Sequence, residues 1–105
     1  MSGKISQFQY NDVTLARAIA TIAADSSRVV VTTHAKKRMK KRGILLTQVL
    51  ECVKSGTVIE PAHQDTKGSW KCTLGKVIAG DHVKVAAALG TTTTGEAVIV
   101  ITVMG

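Results

Sequence analysis

A chain of 105 residues with 45% apolar and 20% charged residues has the composition of a globular domain, which excludes an intrinsically disordered protein. No apolar run reaches the roughly 18 to 20 residues that span a bilayer, and the first residues lack the apolar core of a secretion signal. We therefore expect a cytoplasmic protein with no membrane partner. The net charge of +7 predicts an anionic partner, and six of the 14 basic residues lie in residues 36–42 with no acidic residue among them.

The first element in chain order is a predicted helix. Asn11 marks its start, and Leu15, Ile19 and Ile22 recur at helical spacing, so that one face can be buried. The β-branched run at residues 28–32 follows and predicts a short strand or an extended segment leading into the next helix.

Two further helices are predicted before the middle of the chain. Thr33 is expected to cap a helix over residues 34–42, and Gly43 is well placed to end it. Thr47 is expected to cap the next helix, which ends at Gly56.

The second half of the chain has strand patterns separated by turns that contain glycine or aspartate. The four predicted strands lie within residues 57–63, 69–80, 81–90 and 96–104. The last is nearly all apolar, which is typical of a strand covered on both faces. The predicted fold is α+β, with N-terminal helices packed on one face of an antiparallel sheet of about four strands. We expect one domain over residues 1–105, with residues 1–11 as a flexible tail.

The spacing of the cysteines and histidines indicates no metal site, and we expect no cofactor. Cys52 and Cys72 lie far apart in the sequence, and in a cytosolic protein we expect buried free thiols in preference to a disulfide or a metal pair. His34, His63 and His82 show no metal-ligand spacing.

The basic helix has an internal order. At 100° per residue, His34, Arg38 and Arg42 form a row beside an apolar stripe of Ala35 and Met39, through which the helix can dock. Guanidinium groups match phosphate oxygens two at a time, and a histidine can exchange a proton with a ribose hydroxyl. The row is therefore a candidate catalytic set for metal-free RNA cleavage, although no carboxylate is clearly placed to assist it.

The lysines indicate electrostatic contacts with the phosphates of a nucleic acid and no catalytic role. The candidate contacts are Lys36, Lys37, Lys40, Lys41 and Lys71. Trp70, next to Lys71, could stack on a base, but we favour a core position for the largest side chain of an aromatic-poor protein.

Residues 34–44 read H-A-x-x-R-M-x-x-R-G-I, and this string resembles the signature of a small bacterial and phage family, domain of unknown function 4258. The resemblance extends over about residues 13–103. That family is similar in layout to the RelE/ParE and BrnT toxins, small basic α+β domains that pair with an antitoxin and include ribonucleases and gyrase poisons. The resemblance implies an RNA substrate and an antitoxin-like partner, by analogy of fold alone.

Three hypotheses follow. The chain is a RelE/BrnT-like toxin-type protein that acts on RNA as an endoribonuclease, or a non-catalytic module that binds nucleic acid or an acidic protein. In the third, Arg38 and Arg42 only hold the helix to the sheet, for example by bonding to carbonyls at strand ends.

Overall fold

The computed structural model describes residues 9–104, which form three α-helices, a short 3-10 turn and five strands. In chain order these are α1 (Asp12–Ala23), the 3-10 turn (Ser26–Arg28), β1 (Val29–Val31), α2 (Thr33–Arg42), α3 (Leu46–Ser55), β2 (Thr57–Gln64), β3 (Trp70–Ile78), β4 (Asp81–Thr92) and β5 (Gly95–Met104). The predicted α+β class is confirmed. No helix in the described part of the chain is long and apolar enough to cross a membrane.

The five strands form one mixed sheet in the order β1-β5-β4-β3-β2. Strands β2 to β5 are successive antiparallel neighbours, as predicted. The fifth strand is β1, which pairs parallel to β5, with Val29 opposite Val98 and Val31 opposite Val100. The prediction of about four antiparallel strands was therefore close, and the extra strand is the β-branched run before the basic helix.

The hydrophobic core lies between the helices and one face of the sheet. Cross-strand register places Leu74, Val85 and Val103 in one row, and each is at most 1% exposed. The helices contribute buried side chains to the same cluster: Leu15, Ile19, Ile22, Ala23, Ala35, Val49, Cys52 and Val53. Burial of this apolar surface is the main force that holds α1 and α3 on the sheet.

The opposite face of the sheet carries no helix among the described residues. Ile99 alternates with the fully buried Val98 and Val100 along β5 and is only half-buried. Its side chain lies over Gly90, where an added Cβ would come within 2.8 Å of Ile99 Cγ1. The expectation that β5 is covered on both faces holds only in part, since the neighbours Ala97 and Val98 point to opposite faces and are at most 1% exposed, whereas Ile99 is half-buried.

The start of α1 agrees with the sequence. The Asn11 side chain accepts a hydrogen bond from the Thr14 backbone N–H at 2.9 Å, and the Thr14 hydroxyl accepts one from the Asn11 N–H at 2.9 Å. Of the predicted flexible tail, residues 1–8 lie outside the described part of the chain. At its end, Asn11 caps α1 and Tyr10 packs against Trp70.

Candidate nucleic-acid interface

The basic helix α2 is fixed to the sheet at its first turn by Thr32. The Thr32 hydroxyl accepts from the Ala35 backbone N–H at 3.1 Å, and the same hydroxyl donates to the Val100 carbonyl oxygen at 2.9 Å. Its oxygen also lies 3.2 Å from the carbonyl oxygen of Ile101. The N-cap is therefore Thr32 and not Thr33 as predicted, because β1 ends at Val31 and the next residue already has the extended backbone that a cap requires.

The apolar stripe docks α2 as predicted. Ala35 is fully buried and Met39 is half-buried against the core cluster. Gly43 ends the helix with a left-handed backbone, φ 68°, and the next amide, of Ile44, donates to the Met39 carbonyl at 2.9 Å. Ile44 is itself buried, so the end of α2 is closed by a Schellman-type bond with an apolar contact.

The next helix, α3, starts differently from the prediction. Its N-cap is Leu45, and Thr47 already lies inside the helix. Leu45 has no side-chain acceptor, and its own backbone N–H donates to Gln48 Oε1 at 2.8 Å. The predicted end at Gly56 is confirmed.

The basic side chains of α2 lie on the part of the helix that is not docked. Arg38 is half-buried and the other five cations are exposed: Lys36, Lys37, Lys40, Lys41 and Arg42. None of the six makes an ion pair or a side-chain hydrogen bond with any residue in the 9–104 range. The ion pairs in that range join Arg28 to Asp25, Lys71 to Asp65 and Lys76 to Glu51. The six charges of α2 therefore have no counter-ion within residues 9–104.

The candidate catalytic row is present on this surface. With a rise of about 1.5 Å per residue, the Cα atoms of Arg38 and Arg42 lie roughly 6 and 12 Å along the helix axis from that of His34. The His34 ring is exposed and has no hydrogen-bond partner among the described residues. Neither arginine bonds to a strand carbonyl in this part of the chain, and the hold on the sheet is made by Thr32 and the apolar stripe instead.

Lys71 is not part of the α2 surface. It lies on β3, where it pairs with Ala88 of β4, and β4 separates it from β5. Its ammonium group is 3.4 Å from the Asp65 carboxylate. Lys71 is thus already neutralised locally, unlike the lysines of α2.

The two cysteines are confirmed as buried free thiols. Burial raises the pKa of Cys52 and of Cys72 to about 11. The Cys52 thiol also lies 3.4 Å from the Leu74 carbonyl oxygen. Neither thiol has the exposure and low pKa of a nucleophile. The described residues contain no group of three or more histidine, cysteine or carboxylate side chains placed to hold a metal ion.

Sequence reasoning missed a second cluster at the far end of the sheet. Tyr10 contacts Trp70 edge to face, with ring centroids 5.7 Å apart. Two cavities adjoin the pair, and Glu96 lines both of them, whereas Arg17 lines only one. A signal for Tyr10 was available, since it precedes the cap Asn11, a position from which an apolar side chain commonly packs against the first turns of the helix. Nothing in the sequence pattern places Arg17 or Glu96 beside it, because they belong to elements far apart in the chain.

The family model named Domain of unknown function (DUF4258) matches residues 31–105 of this chain. The match begins at the end of β1 and includes α2, α3 and strands β2 to β5. The chain therefore belongs to this family. No curated protein and no solved structure shows a significant match to the sequence or structure of this chain.

Proposed function

We propose that this member of the DUF4258 family binds RNA through the undocked surface of α2. One observation carries the proposal: six cations lie on one helix, and none has an internal counter-ion in the described part of the chain. A folded protein that keeps such a surface unpaired gains affinity for a polyanion, because each phosphate contact releases condensed counter-ions.

The way in which α2 is docked supports the proposal. Thr32 and the buried Ala35 fix the helix at one end, and the Gly43 turn closes the other. The cations therefore extend from a rigid support, which lowers the conformational entropy lost when RNA binds. Arg38 and Arg42 add planar forks that can contact one phosphate through two hydrogen bonds each.

The test is a binding measurement with two charge-matched variants. Lys37→Gln with Lys41→Gln removes two charges from α2, and Lys54→Gln with Lys84→Gln removes two exposed charges from elsewhere. The binding of fluorescein-labelled single-stranded RNA is measured at several salt concentrations. The α2 variant should bind more weakly, and its slope of log affinity against log salt should be less negative by about 1.4, at roughly 0.7 per lost contact. The control variant should bind like the unmodified protein. Equal losses in both variants would show that net charge, and not α2, governs binding.

A second candidate function is metal-free RNA cleavage by the same surface, as in a RelE/BrnT-like toxin. The observation that favours it is the His34 ring, which is exposed and not held by a structural hydrogen bond to a described residue. In this reaction the imidazole takes the proton of a 2′-hydroxyl, and the 2′-oxygen attacks the phosphorus as the bond to the 5′-oxygen breaks. The 5′-oxygen then receives a proton from the imidazolium, and Arg38 and Arg42 stabilise the charge on the phosphoryl oxygens.

Product analysis separates cleavage from binding. A cleaving protein yields fragments that end in a 2′,3′-cyclic phosphate, and His34→Ala abolishes them while RNA affinity changes little. Intact RNA after incubation with the unmodified protein, with and without ribosomes, would refute the cleavage candidate and leave the binding proposal standing. An acidic antitoxin-like protein that covers α2 would block either activity by competing for the same six charges.

A further inference from the structure

We propose that Glu96, Arg17 and the aromatic pair of Tyr10 and Trp70 form a separate site for a guanine nucleotide unit of single-stranded RNA. The choice of RNA as the physiological source of that nucleotide rests on the function proposed for α2. The site itself is argued from its own geometry.

The aromatic pair lies between two cavities. The Tyr10 and Trp70 rings meet at 69° and both are half-buried. They are two of the three aromatic residues in the chain, which has one Trp, one Tyr and one Phe. The adjoining cavities have volumes of about 420 and 300 Å³, within the range of small-molecule sites, and Tyr10 and Glu96 line both. Aromatic rings beside an open cavity suit stacking on a nucleobase, since every base has a π-face.

A carboxylate and a guanidinium group line the 420 Å³ cavity but do not form an ion pair with each other. Glu96 lies near the start of β5, opposite Thr91 of β4, and Arg17 lies on α1. Both side chains are exposed, and neither forms an ion pair or a side-chain hydrogen bond with a residue described by the structure. A ligand that offers hydrogen-bond donors to the carboxylate and an anion to the guanidinium would satisfy both. A nucleotide does so, with its base edge and its phosphate.

The carboxylate selects among the bases. Guanine presents two adjacent N–H donors on its Watson–Crick edge, which match the two oxygens of a carboxylate. Adenine and cytosine place an acceptor beside their amino group, and the single imino N–H of uracil lies between two carbonyl oxygens that a carboxylate repels. Glu96 should therefore favour guanine.

The site is close enough to α2 for one RNA strand to contact both. Glu96 and Val100 are four residues apart on β5, or about 13 Å at 3.3 Å per residue. Val100 is the residue to which Thr32 anchors the start of α2.

The test uses Trp70, the single tryptophan of the chain, as its own reporter. Its fluorescence is titrated with guanosine, adenosine, cytidine and uridine 5′-monophosphates and with inorganic phosphate, at fixed ionic strength. The proteins are the unmodified chain, Glu96→Ala, Arg17→Ala and the control Asp81→Ala, which removes an exposed carboxylate from the first residue of β4. We expect the guanine nucleotide to bind at least about tenfold more tightly than the uracil nucleotide, the order of one bidentate contact. Glu96→Ala should abolish the preference, Arg17→Ala should weaken all four nucleotides alike, and Asp81→Ala should change neither.

Equal affinities for the four nucleotides, a guanine preference that survives Glu96→Ala, or a fluorescence change with phosphate alone would overturn the inference. Repeating the titration with a uridine hexamer and one that carries a single guanine shows whether the source is RNA. If the guanine-containing hexamer binds more tightly than guanosine 5′-monophosphate, RNA is supported as the source of the nucleotide. If the hexamer and the mononucleotide bind equally, RNA as the source is refuted. The α2 variant Lys37→Gln with Lys41→Gln should leave mononucleotide binding unchanged, so failure of this site and failure of the α2 proposal give different results.

Discussion

Replacing Thr32 by valine removes a hydroxyl that supports two elements at once and keeps the β-branched shape of the side chain. The hydroxyl caps α2 through the Ala35 amide at 3.1 Å and ties it to β5 through the Val100 carbonyl at 2.9 Å. Loss of an N-cap costs about 0.5–2 kcal/mol and loss of an ordinary hydrogen bond about 0.5–1.5 kcal/mol. The Val100 carbonyl keeps the Thr32 backbone N–H at 3.3 Å, so it is not left without a donor. We therefore expect Thr32→Val to lower the free energy of unfolding by about 1 to 3.5 kcal/mol.

Urea denaturation followed by circular dichroism and by Trp70 fluorescence measures this change. Two controls accompany it. Thr33→Ala alters the adjacent threonine, which is exposed and makes no side-chain hydrogen bond with a described residue, and should change the free energy of unfolding by less than about 0.5 kcal/mol. Thr32→Ser keeps the hydroxyl and should recover most of the lost stability. If Thr33→Ala destabilises the protein as much as Thr32→Val, the assignment of the cap and the anchor to Thr32 is wrong.

Three further predictions concern the backbone and the thiols. Ala79 has a left-handed backbone with φ 51°, so Ala79→Gly should raise the free energy of unfolding by up to about 1 kcal/mol, and unchanged thermal stability would contradict this. Gly56→Ala should destabilise the fold by about 1–3 kcal/mol, because its Cβ would lie 2.5 Å from the Cys52 carbonyl oxygen and 3.1 Å from that of Gly75; normal stability would show that the backbone yields freely. The pKa of Cys72 is raised to about 11 from an ordinary 9.0, so the folded state keeps a proton that the unfolded chain releases above pH 9. Its contribution to stability is full below pH 9 and lost as the pH rises to about 11, so Cys72→Ala should lose less stability over that window than the unmodified protein, and parallel losses would refute the linkage.

Local signals explain why much of the fold could be predicted. Asn11 and Gly43 act as helix caps within a few residues of chain, so the sequence alone specifies them. The position of Ala35 and Met39 on α2 follows from helical periodicity, which also orders the cations on the remaining surface. These predictions needed no knowledge of distant contacts.

The errors arose where distant parts of the chain decide the outcome. Thr32 and Thr33 are equivalent as caps in the sequence, and only the pairing of β1 with β5 determines which one begins α2. The same parallel pairing adds the fifth strand. A run of three valines is too short to show from sequence alone that it pairs with another strand. Likewise, Glu96 comes beside Tyr10 because α1 packs against β5 in the folded sheet, so sequence spacing could not identify that cluster.

The most direct test of the central proposal is the salt dependence of RNA affinity for the unmodified protein. Contacts from four to six cations of α2, at roughly 0.7 each for a single strand, predict a slope of log affinity against log salt of about −3 to −4. The account predicts that slope, and a shallower slope between about −1.4 and 0 when Lys36, Lys37, Lys40 and Lys41 are all replaced by glutamine, because at most the two arginine contacts remain. A slope near zero, or a steep slope that persists without the four lysines, would contradict it.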